Sequence, residues 1–170
     1  FYWHTQSNLS KRVENPKNYH LDKLEKAEEN GIRLIQIFEN EWLEREEIVK
    51  QRISFLLGQA FKIGARKTTI KEINSKIGRD FLEKTHIQGA GKAKYYLGLF
   101  FDNELVSVMS FSSLRPALGS KAEEGVFELA RFASSIQIIG GASKLLNYFL
   151  KKYDPKKIIS YSDRRWNTGN

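Results

Sequence analysis

Apolar positions recur at helical spacing in some stretches of this chain and at strand spacing in others, which predicts a mixed architecture. "YHLDKLEKAEENG" (19–31) reads as a polar-faced helix with a narrow stripe of Leu21, Leu24 and Ala27, stopped at Gly31. "IRLIQIF" (32–38) is too dense in Ile and Leu for a surface helix and suits a buried strand. "EREEIVKQRISFLLG" (44–58) is the clearest helix. Ile48, Val49, Ile53, Leu56 and Leu57 form one face, acids crowd its first turn, and Gly58 ends it.

Beyond Gly58 the texture changes. "AFKIGARKTTIKEI" (60–73) alternates like a strand, and "NSKIGRDFLEKTH" (74–86) reads as a helix capped by Asn74 or Ser75, with Ile77, Phe81 and Leu82 inward. "YYLGLFFDNELVSVMSF" (95–111) predicts a hairpin turning at Asp102-Asn103. "VFELARFAS" (126–134) is a further strand. "GGASKLLNYFLKKY" (140–153) is a glycine turn into a helix that buries Leu145, Leu146, Phe149 and Leu150, and "KKIISYS" (157–162) is a last strand. The expectation is an α/β (α+β) chain of two parts, 1–58 and 59–170, joined without a Pro- or Gly-rich linker.

Composition narrows the classes. Of the 170 residues 41% are hydrophobic and 12% aromatic, enough for a real core and against disorder. No apolar run approaches the roughly 18 residues that span a bilayer, and no basic-then-apolar leader is visible. The absence of cysteine excludes disulfides and thiolate metal sites and fits a reducing compartment, so a cytoplasmic protein is expected. The net charge of +8 is unevenly spread. Residues 1–58 carry 9 Lys and Arg against 10 Asp and Glu, a net of −1, whereas 59–170 carry 19 against 10, a net of +9. A polyanion or a phosphate-bearing cofactor is the natural partner of the second part, with a solubilising surface as the plainer reading.

In the first part His4, His20, Lys23, Glu39 and Glu41 lie near expected element ends. If the 32–38 strand ran on, Glu39 and Glu41 would point to one side. Paired carboxylates with a nearby Lys or His suit metal-assisted phosphodiester cleavage, in which the acids hold a divalent ion and the base manages protons. Solvated acids and a core Trp3 account for the same residues. Tyr2-Trp3-His4 resembles the Phe-Trp-His signature of the very-short-patch repair endonucleases, a branch of the PD-(D/E)xK restriction-endonuclease fold. With the His20-x-x-Lys23 helix and "IFENEW", residues 1–58 look like part of phage-encoded homing-type endonucleases related to them. The resemblance implies that His4 is an active-site His and that Tyr2 and Trp3 press on DNA bases. His20, Lys23 and Glu39 then line the site. It implies Mg²⁺ or another divalent metal as cofactor and double-stranded DNA as partner. It also implies a fragment that begins after a metal-binding acid.

The element order of the second part resembles the GNAT acyltransferase fold, a mixed sheet here lacking its last strand. In that fold the turn before the central helix offers backbone N–H groups to the pyrophosphate of acyl-CoA, such as acetyl-CoA. Gly140, Gly141, Ala142 and Ser143, with Lys144 beside them, occupy that place. A purely structural glycine turn is the other reading. The tail "ISYSDRRWNTGN" looks like the Asp-bearing strand end of phage Mom-type proteins, which modify adenine in DNA, and by that resemblance Asp163 would orient an amine acceptor. Glu128 and Arg131 fall on the strand that borders the cofactor in such folds. Lys92 and Lys94, in the Gly-Lys loop after His86, are candidate phosphate contacts. Arg164, Arg165 and Trp166 combine charge with an aromatic ring, a mix suited to backbone contact and base stacking. Two enzyme classes therefore stand side by side: a phage or mobile-element DNA endonuclease, and an acyl-CoA-dependent transferase acting on DNA bases or another amine. A non-catalytic DNA-binding module is the third reading.

Overall fold

The computed structural model describes residues 18–113 and 124–167. They form a mixed α/β arrangement in two compact units. The first comprises the described residues 18–46 and 162–167, the second 47–113 and 124–161. The division therefore falls at 46/47, inside a helix, and the first unit is discontinuous in sequence.

In the first unit, helix α1 (Tyr19–Glu29) buries only Leu24. Its end is closed locally: Gly31 takes a φ of +69°, the Gly31 N–H reaches Glu28 O at 2.9 Å, and the Ile32 N–H reaches Ala27 O at 2.8 Å. Residues 32–38 do not form the expected strand. Ile32 is 60% exposed, and the segment's polar groups are met piecemeal instead of by a ladder. Gln36 donates its amide to His20 O (2.8 Å), and the Phe38 N–H goes to the Glu41 carboxylate (3.1 Å). The expected burial fails with the strand, since no residue of 32–38 is fully buried and Ile37 and Phe38 are exposed like Ile32.

Helix α2 (Glu39–Leu56) starts five residues earlier than the apolar face implied. Glu39 and Glu41 sit in its first turn, where the helix dipole favours acids, and Glu41 reaches back to the residue before the helix as in a capping box. The pair thus marks a helix start and not the end of a strand. The helix is interrupted at Arg45, whose φ of −135° and ψ of 30° leave the helical region. Ile48 and Val49 are buried, but Leu56 and Leu57 are exposed, against the reading of one continuous apolar face.

The second unit is built on a five-stranded sheet in the order β2-β3-β4-β5-β7, from β2 (Thr69–Glu72), β3 (Tyr95–Phe101), β4 (Glu104–Ser113), β5 (Val126–Ser134) and β7 (Lys157–Ser160). The first three pairings are antiparallel and β5–β7 is parallel. A separate parallel pair joins β1 (Lys62–Gly64) to β6 (Gln137–Ile139). The expected single strand over 60–73 is broken because residues 65–67 form a 3₁₀ turn. Lys144 pins that turn by donating to Ala65 O at 2.9 Å and also to Thr68 O. The β3–β4 hairpin turns at Asp102-Asn103, both left-handed as a two-residue turn requires.

Two helices cover the sheet. Helix α3 (Ser75–Thr85) is capped by Asn74, whose side chain accepts from the Ile77 N–H at 2.9 Å. It buries Leu82, while Ile77 is 45% exposed and does not face inward. Gly78 lets this helix approach β3 closely, since a Cβ there would overlap the Tyr96 ring. Helix α4 (Gly141–Tyr153) buries Leu145 and Phe149, with Leu146 half-buried and Leu150 40% exposed. Phe149 stacks on Phe111 with ring centroids 3.6 Å apart and planes 12° from parallel. β4 is thus buried on both faces: Met109 and Phe111 pack with α4, and Val108 packs with Leu82 of α3.

Phe149→Ala should therefore lower the unfolding free energy by about 3–5 kcal/mol, a large core truncation. Leu150→Ala, one residue on, should cost less than about 1 kcal/mol. Urea unfolding followed by circular dichroism checks both, and equal losses would contradict the packing described.

Candidate functional residues and their environment

Arg165 is heavily engaged among the described residues of the first unit. Its Nη2 donates to Glu41 Oε1 at 2.8 Å and to Asp163 Oδ2 at 2.6 Å, and its Nε donates to Asp163 Oδ1 at 3.0 Å. The guanidinium carbon lies 4.0 Å from the centre of the Phe38 ring. Burial works against the charge, but the hydrogen bonds it donates to Asp163 and Glu41 outweigh it and the pKa is raised. Arg164 donates to Glu25 at 3.1 Å and Glu28 at 3.0 Å, and those hydrogen bonds raise its pKa too. Both guanidinium groups, expected to meet DNA, are committed to carboxylates of their own unit.

Trp166, the expected stacking ring, is 1% exposed and offers no face to a base. It helps line a cleft of about 650 Å³ with Leu24, Glu28, Arg33, Ile35 and Arg164. Asp163, the expected acceptor-orienting acid, belongs to the first unit, and both its oxygens accept from Arg165. It buttresses a cation instead of lying free for an amine.

Of the expected nuclease residues, His4, Tyr2 and Trp3 lie outside the described residues. His20 is half-buried on α1, its ring edge-on to Tyr19 (5.2 Å) and Phe38 (6.4 Å). Lys23, on the same helix, is exposed, as is Glu39 at the first position of α2. Among the described residues no group of three His, Asp or Glu side chains could hold a metal ion. Glu41, the second acid of the expected pair, is spent on Arg165 and the Phe38 N–H.

In the second unit residues 140–143 form a glycine turn into α4, the form that both the cofactor reading and the purely structural reading required. Gly140 is left-handed at φ +78°, and Gly141 opens α4, where a Cβ would press on Ile138 at 3.0 Å. Ala142 and Ser143 are exposed on the first turn. Lys144 departs from expectation, because its ammonium is turned onto Ala65 and Thr68. The Gly-Lys loop uses its amides internally: Gln88 N–H to His86 Nδ1 (3.1 Å), Gly89 N–H to His86 O (2.8 Å), Ala90 N–H to Glu83 (2.9 Å). Lys92 and Lys94 remain exposed on it. Arg131 donates to Gly89 O and to Ala130 O, and Glu128 is buried opposite Ser112 in the β4–β5 ladder.

Sequence reasoning passed over a second cluster. The Tyr153 hydroxyl donates to Glu72 at 2.9 Å, and Lys152 forms an ion pair with the same carboxylate. Tyr153 leans on Tyr95, with centroids 4.5 Å apart. The run Tyr148–Tyr153 carries a signal for it, since two tyrosines and two lysines fall at the exposed end of an otherwise apolar helix. Its Glu72 partner, 80 residues upstream of Lys152, carries no local signal. Burial, reinforced by the Glu72 hydrogen bond, pushes the Tyr153 phenol up to about 12.

Compared with known protein-family models and with curated proteins, the sequence matches none.

Tyr153 should titrate near pH 12 where ordinary tyrosines titrate near 10. Because the folded value is raised, the stability it contributes is complete below about pH 10 and is lost as pH rises toward 12. Ultraviolet titration of the native protein against Tyr153→Phe isolates this phenol, and a normal titration of Tyr153 would refute the assignment.

Proposed function

We propose that this chain is part of a DNA endonuclease of the phage or mobile-element type. In this reading the first unit belongs to a restriction-endonuclease-like domain and the second is a basic GNAT-like module that holds DNA. The observation that carries the DNA-binding half is charge. Residues 47–161 contain 19 Lys and Arg against 10 Asp and Glu, a net of +9. A surplus of that size on a small domain attracts polyanions over a long range and makes binding fall with salt.

The cleavage half rests on the resemblance of Tyr2-Trp3-His4, His20-x-x-Lys23 and "IFENEW" to the repair-type endonucleases. His4 is the assigned proton-transfer group and Trp3 the assigned base contact. The described residues do not supply a ligand set for Mg²⁺ or another divalent ion, so no step of hydrolysis is assigned to a metal held by them. Of the DNA contacts first expected, the exposed Lys92 and Lys94 are retained. Arg164, Arg165 and Trp166 are reassigned to holding the first unit together.

One observation favours the acyl-transfer reading. The stretch from β5 through α4 to the parallel β7 carries a left-handed glycine at the helix start, a backbone suited to a pyrophosphate. In that reading the first-turn amides of α4 hold the phosphates of acetyl-CoA or another acyl-CoA, and Lys144 takes no part.

In the full-length protein, nicking of supercoiled plasmid should require Mg²⁺ and vanish in His4→Ala. Undiminished nicking in that variant would reject the site. Saturating acetyl-CoA should leave the melting temperature unchanged, and a rise of several degrees would instead favour the transferase.

A further inference from the structure

We propose that the end of the sheet where α4 finishes is a landing patch for the phosphate backbone of a nucleic acid, formed by Lys94, Lys151, Lys152 and Lys156 around Tyr95, Tyr148 and Tyr153. The proposal rests on the DNA reading above and gives it an address on the second unit. Several elements meet at this end. β2 ends at Glu72, β3 begins at Tyr95, α4 ends at Tyr153, and the Lys156 N–H reaches back to Gly125 O (2.8 Å), just before β5.

The half-buried Tyr95 and Tyr153 rings form a floor over the buried Phe149. Tyr153 lies 4.5 Å from Tyr95 and 4.7 Å from Phe149, and Phe127 meets Tyr95 edge-on at 5.9 Å. Cations stand over this floor. Lys94 Nζ is 5.2 Å from the centre of the Tyr95 ring, and Lys152 Nζ is 5.6 Å from Tyr153 and 6.0 Å from Tyr148. The ring faces attract the ammonium groups and narrow the space they sample. Glu72 neutralises Lys152, and Asp154 and Glu124 are the other described acids close by in sequence. Lys94, Lys151 and Lys156 are exposed and take part in no ion pair among the described residues.

The arrangement favours a polymer over a small anion. The lysines come from a loop, a helix and the connection after it, and they are spread over a face instead of converging on one point. Spaced positive charges beside planar rings suit successive phosphates with sugars or bases between them.

The test compares two triple variants of the full chain, each removing three positive charges from exposed positions. Lys94→Gln/Lys151→Gln/Lys156→Gln strips the patch. Lys62→Gln/Arg66→Gln/Lys67→Gln strips the opposite end of α4, about 20 Å away for a helix of this length, where Ala65 adjoins Gly140. Binding of a labelled duplex oligonucleotide is followed by fluorescence anisotropy in EDTA between about 50 and 200 mM salt. The slope of log affinity against log salt should shrink by about 2–3 in the patch variant, near 0.9 per lost phosphate contact. It should hold in the other variant. An unchanged slope in the patch variant, or equal shrinkage in both, overturns the proposal. So does an equal loss of binding to polyglutamate, which would assign the patch to acidic peptides. With metal excluded, the readout is independent of cleavage: absent nicking leaves the patch standing, and an unaltered slope leaves the nuclease reading standing.

Discussion

The Arg165 guanidinium is the constraint around which the first unit closes. It is part-buried, and a cation drawn partly out of water is tolerable only when carboxylates and ring faces surround it. Glu41 comes from the first turn of α2, Asp163 from two residues before, and Phe38 from the approach to the helix. One side chain thus ties residues more than a hundred positions apart and fixes where α2 begins. Arg33 adds a second tie by donating to Trp166 O at 3.1 Å, and Gln36 adds a third through its N–H to Arg165 O. Losing Asp163 or Glu41 would leave the part-buried guanidinium with a single carboxylate.

That closure explains why the domain layout could not be read locally. Periodicity and turn residues report neighbours a few positions away. They located the strand over 126–134, the Asp102-Asn103 hairpin, the Asn74 cap and the Gly140 turn, because each of these is decided by adjacent residues. The return of 162–167 to the first unit depends on Glu41 meeting Arg165, which no local pattern announces. The same limit produced the misplaced strand at 32–38. Its apolar density was real, but the hydrogen bonds of that segment go to side chains and to distant backbone groups. The break at 65–67 was invisible for a similar reason, since it is set by Lys144 from a helix far along the chain.

Chemistry was less legible than fold. Asp, Arg and Trp side by side in "SDRRW" look the same in sequence whether they face DNA or one another. Only coordinates distinguish them, and here Asp163, Arg165 and Trp166 face inward. Lys144 teaches the same lesson on the glycine turn, as a lysine beside a helix start invites a phosphate reading but its ammonium caps two carbonyls. The Tyr95–Tyr153 cluster carries the opposite lesson, since residues to which the sequence reading gave no role assemble around one carboxylate, with cations over their rings.

The parallel pairing of β5 has one further consequence. β7 accompanies it only from Val126 to Leu129, so among the described residues the later part, 131–134, is laddered on the β4 side alone. Such a half-dressed border invites another strand, from a second copy or an unfolding neighbour, to complete it. Arg131 stands on that stretch, with its guanidinium folded onto Ala130 O and Gly89 O. A charged side chain on such a stretch disfavours the addition of a further strand.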